Sequence, residues 1–304
     1  MKELPLIGIT QGDALGIGPE IITKALSNPL LYRHCRPVIF GEEKLFKNLR
    51  RKKNIPILFP NRPHKNSAYA ALEMATQWCL EKKIAAMVTA PVNKKRISSD
   101  EHIKFVGHTD YLKTRCEKFY KRRFTETMLF VGEKEKIALA TTHIPLKDIP
   151  KAITLKGLKN TIKTVHDGLK DYFGLSHPSL AMLGLNPHSG DDGLLGNEEK
   201  DYVRPAVRWA NKHKIDLHGP FPADSFFAHL SEKFDATIAL YHDQGLIPFK
   251  QKNFLRAVNV TLGLPIVRTS VDHGVAYDLT GSGKADSSSL VTAIILAARL
   301  AKRS

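Results

Sequence analysis

The stretch "YHDQG" (residues 241–245) sets a histidine and an aspartate side by side, directly after the apolar run "ATIAL". Two more histidines follow apolar runs in the same way. His143 closes "IALATTH" (137–143) and His188 closes "LAMLGLNPH" (180–188). Neutral imidazole is the commonest protein ligand of zinc and its neighbours. Three protein ligands with positions left open make a catalytic metal site rather than a structural one. Any one of these histidines also reads as a turn or capping residue; the three at equivalent positions read as a shared metal site. Asp243 beside His242, and Asp224 in "GPFPADSFF", are carboxylates of the kind that orient a metal-bound imidazole. "ADSFFAHL" equally fits a helix N-cap ahead of an apolar face.

Further residues have the chemistry to hold an anion. Lys250 stands in "IPFKQK", Asn259 in "RAVNVTLG" and Arg268 in "PIVRTS". Lysine and arginine suit phosphate, arginine through its two-pronged fork. "GHTDYL" (107–112) adds His108 and Thr109 at the start of a candidate helix, where free backbone N–H groups favour anions. "GDALGIGPE" (12–20) lacks the GxGxxG spacing and is a weak nucleotide fingerprint. "HGVAYDLTGSGKADSSSL" (273–290) is a long loop rich in glycine and aspartate that feeds the last helix. It could hold a ribose or a pyrophosphate, or be only a connection.

These residues need elements to position them. Strand patterns fall at 4–10, 37–41, 85–90, 137–143, 180–188 and 236–242. Helix patterns fall at 18–28, 67–83, 155–174, 198–213 and 287–303. Alternation of this kind predicts an α/β/α layered fold. Several strands read as continuous apolar runs, as buried parallel strands do. In open α/β sheets ligands bind beyond the carboxyl ends of the strands, which is where the three histidines fall.

The 304 residues suffice for one large or two medium domains. No apolar run approaches the length of a membrane span. The N-terminus enters a strand pattern at once, without the layout of a signal peptide. Cys35, Cys79 and Cys116 lack CxxC spacing and read as reduced thiols of a cytoplasmic protein. The net charge of +16 raises the question of nucleic acid. Its lysines and arginines are spread along helical stretches such as 113–123 and 155–163, with no recognition motif among them. A basic surface attracting a phosphorylated substrate and an anionic cofactor fits better, and a solvated basic face fits equally well.

Taken together, "GDALGIGPEI", "TAPVNK", "GHTDYL", "GLNPHSGDDGLLGNEE", "GPFPADSFF", "YHDQGLIPFK" and "NVTLGLPIVRTSVDHGVAYDLTGSGKADSSSL" resemble the 4-hydroxythreonine-4-phosphate dehydrogenase family of vitamin B6 biosynthesis. The resemblance runs from about residue 6 to the C-terminus. It implies an α/β/α sandwich of isocitrate/isopropylmalate dehydrogenase type, with two interwoven subdomains and the active site in the cleft between them. The first would span about 1–115 plus 272–304, and the second about 116–271 with the metal histidines. The implied reaction is NAD- or NADP-dependent oxidation and decarboxylation of 4-phosphooxy-L-threonine to 3-amino-2-oxopropyl phosphate. One divalent metal (zinc, magnesium or cobalt) would serve each site. Relatives acting on erythronate or threonate 4-phosphate are the alternative, and a metal-dependent hydrolase or aldolase without a dinucleotide is another.

Carried over residue by residue, the resemblance implies metal ligands His143, His188 and His242, with Asp224 and Asp243 as their supporting carboxylates. It implies substrate contacts from His108, Thr109, Lys250, Asn259 and Arg268. The cofactor would meet His273, Gly274, Asp278, Gly281 and Asp286. It further implies a homodimer with shared active sites, without nucleic acid or membrane as partner. His143 and His188 belong to one run of strand–helix units and His242 to a later segment, so the expectation is that His242 crosses to the other chain. Gln11 and Ala14 depart from the family pattern, which has prolines there, and "IPF" at 247–249 is also unusual.

Overall fold

The computed structural model describes residues 3–47, 49, 54–60, 64–254 and 256–303. In chain order the elements begin with β1 (Leu6–Thr10), α1 (Gly18–Ala25), β2 (Arg36–Phe40), β3 (Ile57–Leu58), α2 (Ser67–Leu80) and β4 (Ala86–Thr89). They continue with α3 (Lys94–Glu101), α4 (His108–Tyr120), β5 (Thr127–Val131), β6 (Lys136–Leu139), α5 (Ile149–Ala152), α6 (Leu155–Asp171) and β7 (Leu180–Leu183). The last are α7 (Arg204–Lys212), β8 (Leu217–Phe221), α8 (Ala223–His229), β9 (Ala236–Ala239), α9 (His242–Asn253), β10 (Val258–Leu262), β11 (Arg268–Val271) and α10 (Ser288–Ala301). The fold is mixed α/β. The chain divides into two compact units, one of residues 1–124, 258–260 and 264–304, the other of 125–257 and 261–263.

In the first unit the strand order is β3-β2-β1-β4-β11-β10. Pairing is parallel from β3 to β11, whereas β10 runs antiparallel to β11. The core gathers Phe40, Leu72, Met87, Phe105, Leu112 and Ile266. Helix α2 starts where Asn66 accepts hydrogen bonds from the N–H groups of Ala68 and Tyr69, which satisfies two donors the helix leaves open. Its buried stripe of Ala68, Ala71, Leu72, Ala75 and Cys79 follows the helical period. Gln11 stands where the family has proline and is fully buried. Its amide accepts from Glu42 N at 2.6 Å and donates to Ser67 Oγ at 2.8 Å, so it joins β1 to the turn after β2 and to the start of α2.

In the second unit the order is β5-β6-β9-β7-β8. The β5/β6 pair is an antiparallel hairpin; the other neighbours are parallel. The candidate strands of the sequence that pair with one another are parallel, and the antiparallel pairs β5/β6 and β10/β11 bring in β5, β10 and β11, which lie outside the strand patterns expected from the sequence. An apolar run shows burial, and burial is common to both pairings. The core here joins Phe130, Ile137, Leu183, Phe226, Leu246 and Phe249. Helix α9 lies directly on this sheet. A Cβ at Gly245 would stand 2.7 Å from Ile137 Cγ2 and 2.9 Å from Ala239 Cβ, so only glycine lets the helix come this close.

Candidate functional site

Strands β6 and β9 are parallel neighbours ending at Leu139 and Ala239. Their pairing continues past both ends, with Ala140 N donating to Ala239 O at 2.8 Å and Thr141 N to Leu240 O at 3.1 Å. The chains then diverge, and His143 and His242 emerge on one rim with ring centres 5.6 Å apart. Two imidazoles that each hold one nitrogen about 2.0–2.1 Å from a common ion, at a tetrahedral angle, have ring centres on the order of 5 Å apart. The pair therefore fits two ligands of one metal. His242 Nδ1 donates to Asp243 Oδ1 at 2.7 Å, which leaves Nε2 for an ion.

"YHDQG" thus divides its labour. His242 and Asp243 form the chemical pair. Gln244 accepts from Leu240 N at 2.7 Å and donates to Gly184 O at 2.6 Å, tying the end of β9 to the end of β7. Gly245 admits the sheet.

His188 follows β7 on a different kind of backbone. From His188 to Gly193 six consecutive residues have positive φ: 52°, 55°, 84°, 42°, 54° and 107°. Four of them are not glycine, and a left-handed conformation costs such a residue roughly 1–2 kcal/mol. The His188 side of the site is held in a strained turn. Among the described residues no three His, Cys, Asp or Glu side chains of one chain form a metal-holding group. His143 and His242 lie together within one chain, whereas the expectation from the sequence has His242 crossing to a second chain. The physical reason is that β6 and β9 are adjacent despite their distance in sequence. Asp224 is exposed in the first turn of α8, where the N-cap is Pro222 and no side chain caps the helix. The N-cap reading of Asp224 is not what forms.

The candidate anion-binding residues of the first unit sit in deeper surroundings. Arg268 is 3% exposed at the start of β11. Its Nε and Nη2 donate to Thr89 Oγ1 at 3.2 and 2.7 Å, and burial draws its guanidinium down to about 10, so it stays charged at neutral pH. His108 opens α4 after Gly107, and its Nε2 is buried without a hydrogen-bond partner. Burial first, then the charges of Arg268 and Lys94, hold its pKa well below the usual imidazole value. Asn259 on β10 is 7% exposed, and its Oδ1 is likewise buried without a partner. Buried polar atoms are almost always paired, so these two atoms, together with the buried guanidinium whose charge bears on His108, are candidate contacts for a ligand. Thr109 is half-buried in the first turn of α4, and Lys250 is half-buried in the last turn of α9, in the second unit.

The loop before α10 is tied to the segment before and within α1. Asp13 accepts from Tyr277 Oη at 2.9 Å and from Arg96 Nη1 at 2.8 Å. Glu20 accepts from Gly281 N and Ala285 N, and Lys24 Nζ donates to Gly283 O and Ala285 O. The motif "GDALGIGPE" is thereby a brace for this loop. A Cβ at Gly274, Gly281 or Gly283 would meet nothing within 4 Å, so the loop offers bare backbone that a flat ring can approach. His273 and Asp278 are exposed on it. The hydrogen bond from Ser288 N at 2.6 Å holds Asp286 below the usual carboxylate range.

The chain as a whole is similar to known proteins. The model of the family described as pyridoxal phosphate biosynthetic protein PdxA matches residues 51–297. The chain belongs to the PdxA family. It is 38% identical to the 4-hydroxythreonine-4-phosphate dehydrogenase of Desulforapulum autotrophicum, over 97% of this chain and 95% of that one. A protein of Oceanobacillus iheyensis whose name points to D-threonate 4-phosphate is 34% identical over 99% of each chain. The crystal structure of 4-hydroxythreonine-4-phosphate dehydrogenase from Klebsiella pneumoniae superposes with a TM-score of 0.82 at 32% identity, covering 98% of this chain and 99% of that one.

Sequence reasoning missed Thr89, which holds Arg268, and Lys94, whose charge bears on His108. Both lie in "TAPVNK". The motif was visible, but the roles of its residues emerge only when β4 and β11 pair.

Proposed function

We propose that this PdxA-family chain is a dehydrogenase that oxidises and decarboxylates 4-phosphooxy-L-threonine to 3-amino-2-oxopropyl phosphate, with NAD or NADP as hydride acceptor and one divalent metal per site. The observation that carries the reading is the His143–His242 pair with Asp243 on its outer side. The reading puts a metal there, and the donor set suits zinc, cobalt or magnesium in decreasing order of fit to imidazole. When bound, the metal supplies Lewis acidity for the substrate hydroxyl and for the carbonyl that develops from it.

The chain's own residues do the rest. His143, His242 and His188 would hold the ion, and the bond from His242 Nδ1 to Asp243 fixes the tautomer of His242. Asp224 is assigned to the same outer layer. Arg268 and Asn259 anchor the substrate phosphate, together with neutral His108, Thr109 and Lys250. That remote binding energy positions the reacting carbon. A bound dinucleotide would supply the hydride acceptor for oxidation of the hydroxyl carbon to the carbonyl, with release of the hydroxyl proton. The resulting β-keto acid releases carbon dioxide. His273, Gly274, Asp278, Gly281 and Asp286 are assigned to the dinucleotide, on the loop braced by Asp13, Glu20 and Lys24.

We infer that the working form is a homodimer. His188 would reach the His143–His242 pair of a second copy, since one chain does not bring the three together. Ile144 and Leu146 after His143, Leu194 and Leu195 after His188, and Ile247 on α9 are exposed. A second copy would cover such groups, and a two-fold interface would build two identical sites. Among the described residues no helix is long and apolar enough to cross a membrane, and we place the enzyme in the cytoplasm, without nucleic acid as partner.

The test is dinucleotide reduction with 4-phosphooxy-L-threonine, D-threonate 4-phosphate and D-erythronate 4-phosphate in parallel, with added Zn2+, Co2+ or Mg2+. Turnover fastest with the first substrate supports the reading. Preference for a threonate or erythronate supports the second reading, favoured by the similarity to the Oceanobacillus protein. No reduction with any of them, and no NADH binding, would favour a metal-dependent hydrolase or aldolase.

A further inference from the structure

We propose that Glu199 is the positioning residue that sets His188 for metal binding; the inference rests on the metal reading above. Glu199 is 2% exposed. Its Oε1 accepts from Leu185 N and Asn186 N, each at 2.7 Å, and its Oε2 accepts from Asn186 Nδ2 at 2.9 Å. One carboxyl group thus grips both consecutive backbone N–H groups and the side chain immediately ahead of Pro187 and His188. The first of the two follows Gly184, where β7 has ended. These donors have left the sheet, and a buried N–H needs a partner; Glu199 provides it from fourteen and thirteen residues away.

The grip extends past His188 as well. A Cβ at Gly190 would stand 2.7 Å from Glu199 Oε2, so the left-handed turn folds back against the same carboxyl group. Ser189 Oγ adds a bond to Pro220 O at 3.3 Å. His188 is therefore suspended between two points that both rest on Glu199. The residue itself begins a single turn of π-helix, Glu199–Val203, ahead of α7. Pro205 has no N–H to give to that turn, and such wide turns recur at functional sites. A turn that costs energy at four non-glycine residues persists only when its surroundings hold it. Glu199 is the part of those surroundings that reaches the backbone on both sides of the histidine.

The experiment compares full-length wild type, Glu199→Gln, Glu199→Ala and, as control, His188→Ala. Binding of Co2+ alone is followed by its visible absorption, and NADH binding by fluorescence. The amide keeps one oxygen for the two backbone donors but sets an N–H2 against Asn186 Nδ2, so its effect is the smaller. Glu199→Gln is expected to weaken Co2+ binding about tenfold, as loss of an outer partner does, and Glu199→Ala further, with NADH binding unchanged. Faster hydrogen exchange at Leu185 and Asn186 should accompany the loss. If His188→Ala loses Co2+ while both Glu199 variants bind it as wild type does, the inference is overturned and the metal reading stands. If His188→Ala itself binds Co2+ normally, the metal reading falls and the inference with it. Should Glu199→Ala fail to fold, Glu199→Gln decides.

Discussion

The two units hold their functional groups in opposite ways. In the second, His143 and His188 stand exposed on loops beyond the strand ends, and His188 rides on a left-handed turn. In the first, Arg268 and Asn259 lie on strands, 3% and 7% exposed, among groups already fixed by the sheet. A ligand of the buried cluster meets partners whose desolvation was settled when the chain folded, so it gains contacts at little further cost. In our reading the histidine rim is incomplete in one chain and depends on an ion and on a second copy. Burial there would be out of place, because the rim has to be reached.

Removing a group from the exposed rim should abolish function with little effect on folding. His143→Ala, His188→Ala and His242→Ala are each expected to lose most metal affinity and to lower turnover by at least about a thousandfold, since one ligand of three is gone. Metal content by elemental analysis and turnover would show this; a variant with normal metal and normal turnover is not a ligand variant. Removing a group from the buried cluster should act on the substrate. Arg268→Ala loses a charge-assisted contact of about 1.5–3 kcal/mol, roughly 10- to 150-fold in kcat/KM. The KM of the dinucleotide should not move. If it rises while that of the substrate stays, Arg268 belongs to the cofactor.

Two smaller effects sharpen the contrast in stability. Gly245→Ala places a methyl group against Ile137 and Ala239, and overpacking of this kind costs about 1–3 kcal/mol. Denaturant unfolding should show a lower midpoint, and an unchanged one would mean that α9 has room to lift. His108 supplies the last. Burial and the charges of Arg268 and Lys94 hold it well below 6.5 in the fold. Below about pH 6.5 the unfolded chain takes up a proton that the folded chain refuses, so stability falls as pH drops through that region and is flat above it. Between pH 7 and pH 5 the wild type should lose more stability than His108→Asn. Equal losses would place His108 in contact with water.

Much of this was legible in the sequence, and what was not has physical causes. The three histidines announced themselves because each followed an apolar run, and parallel strands present their carboxyl ends together. Strands β5, β10 and β11 were not legible as strands at all, and their antiparallel pairing shows only in the fold, since an apolar run records burial and not strand direction. Which histidines meet was also hidden: β6 and β9 are about a hundred residues apart and neighbours in the sheet. Glu199 looked like an ordinary acidic residue at a helix start. Only the fold shows that its carboxyl group holds the backbone ahead of His188. The left-handed turn left a trace in Gly190 and Gly193, but Ser189, Asp191 and Asp192 gave no sign of sharing that conformation.

The central claim is that one chain provides His143 and His242 to the same site while His188 comes from a second copy. Co-expression of inactive single variants tests it directly, with heterodimers isolated through two different tags. A heterodimer of His143→Ala with His188→Ala carries both defects in one site and none in the other, so turnover should return to about half of wild type by symmetry. A heterodimer of His143→Ala with His242→Ala leaves each site one ligand short and should stay inactive. Recovery in the second pairing with none in the first would contradict the account.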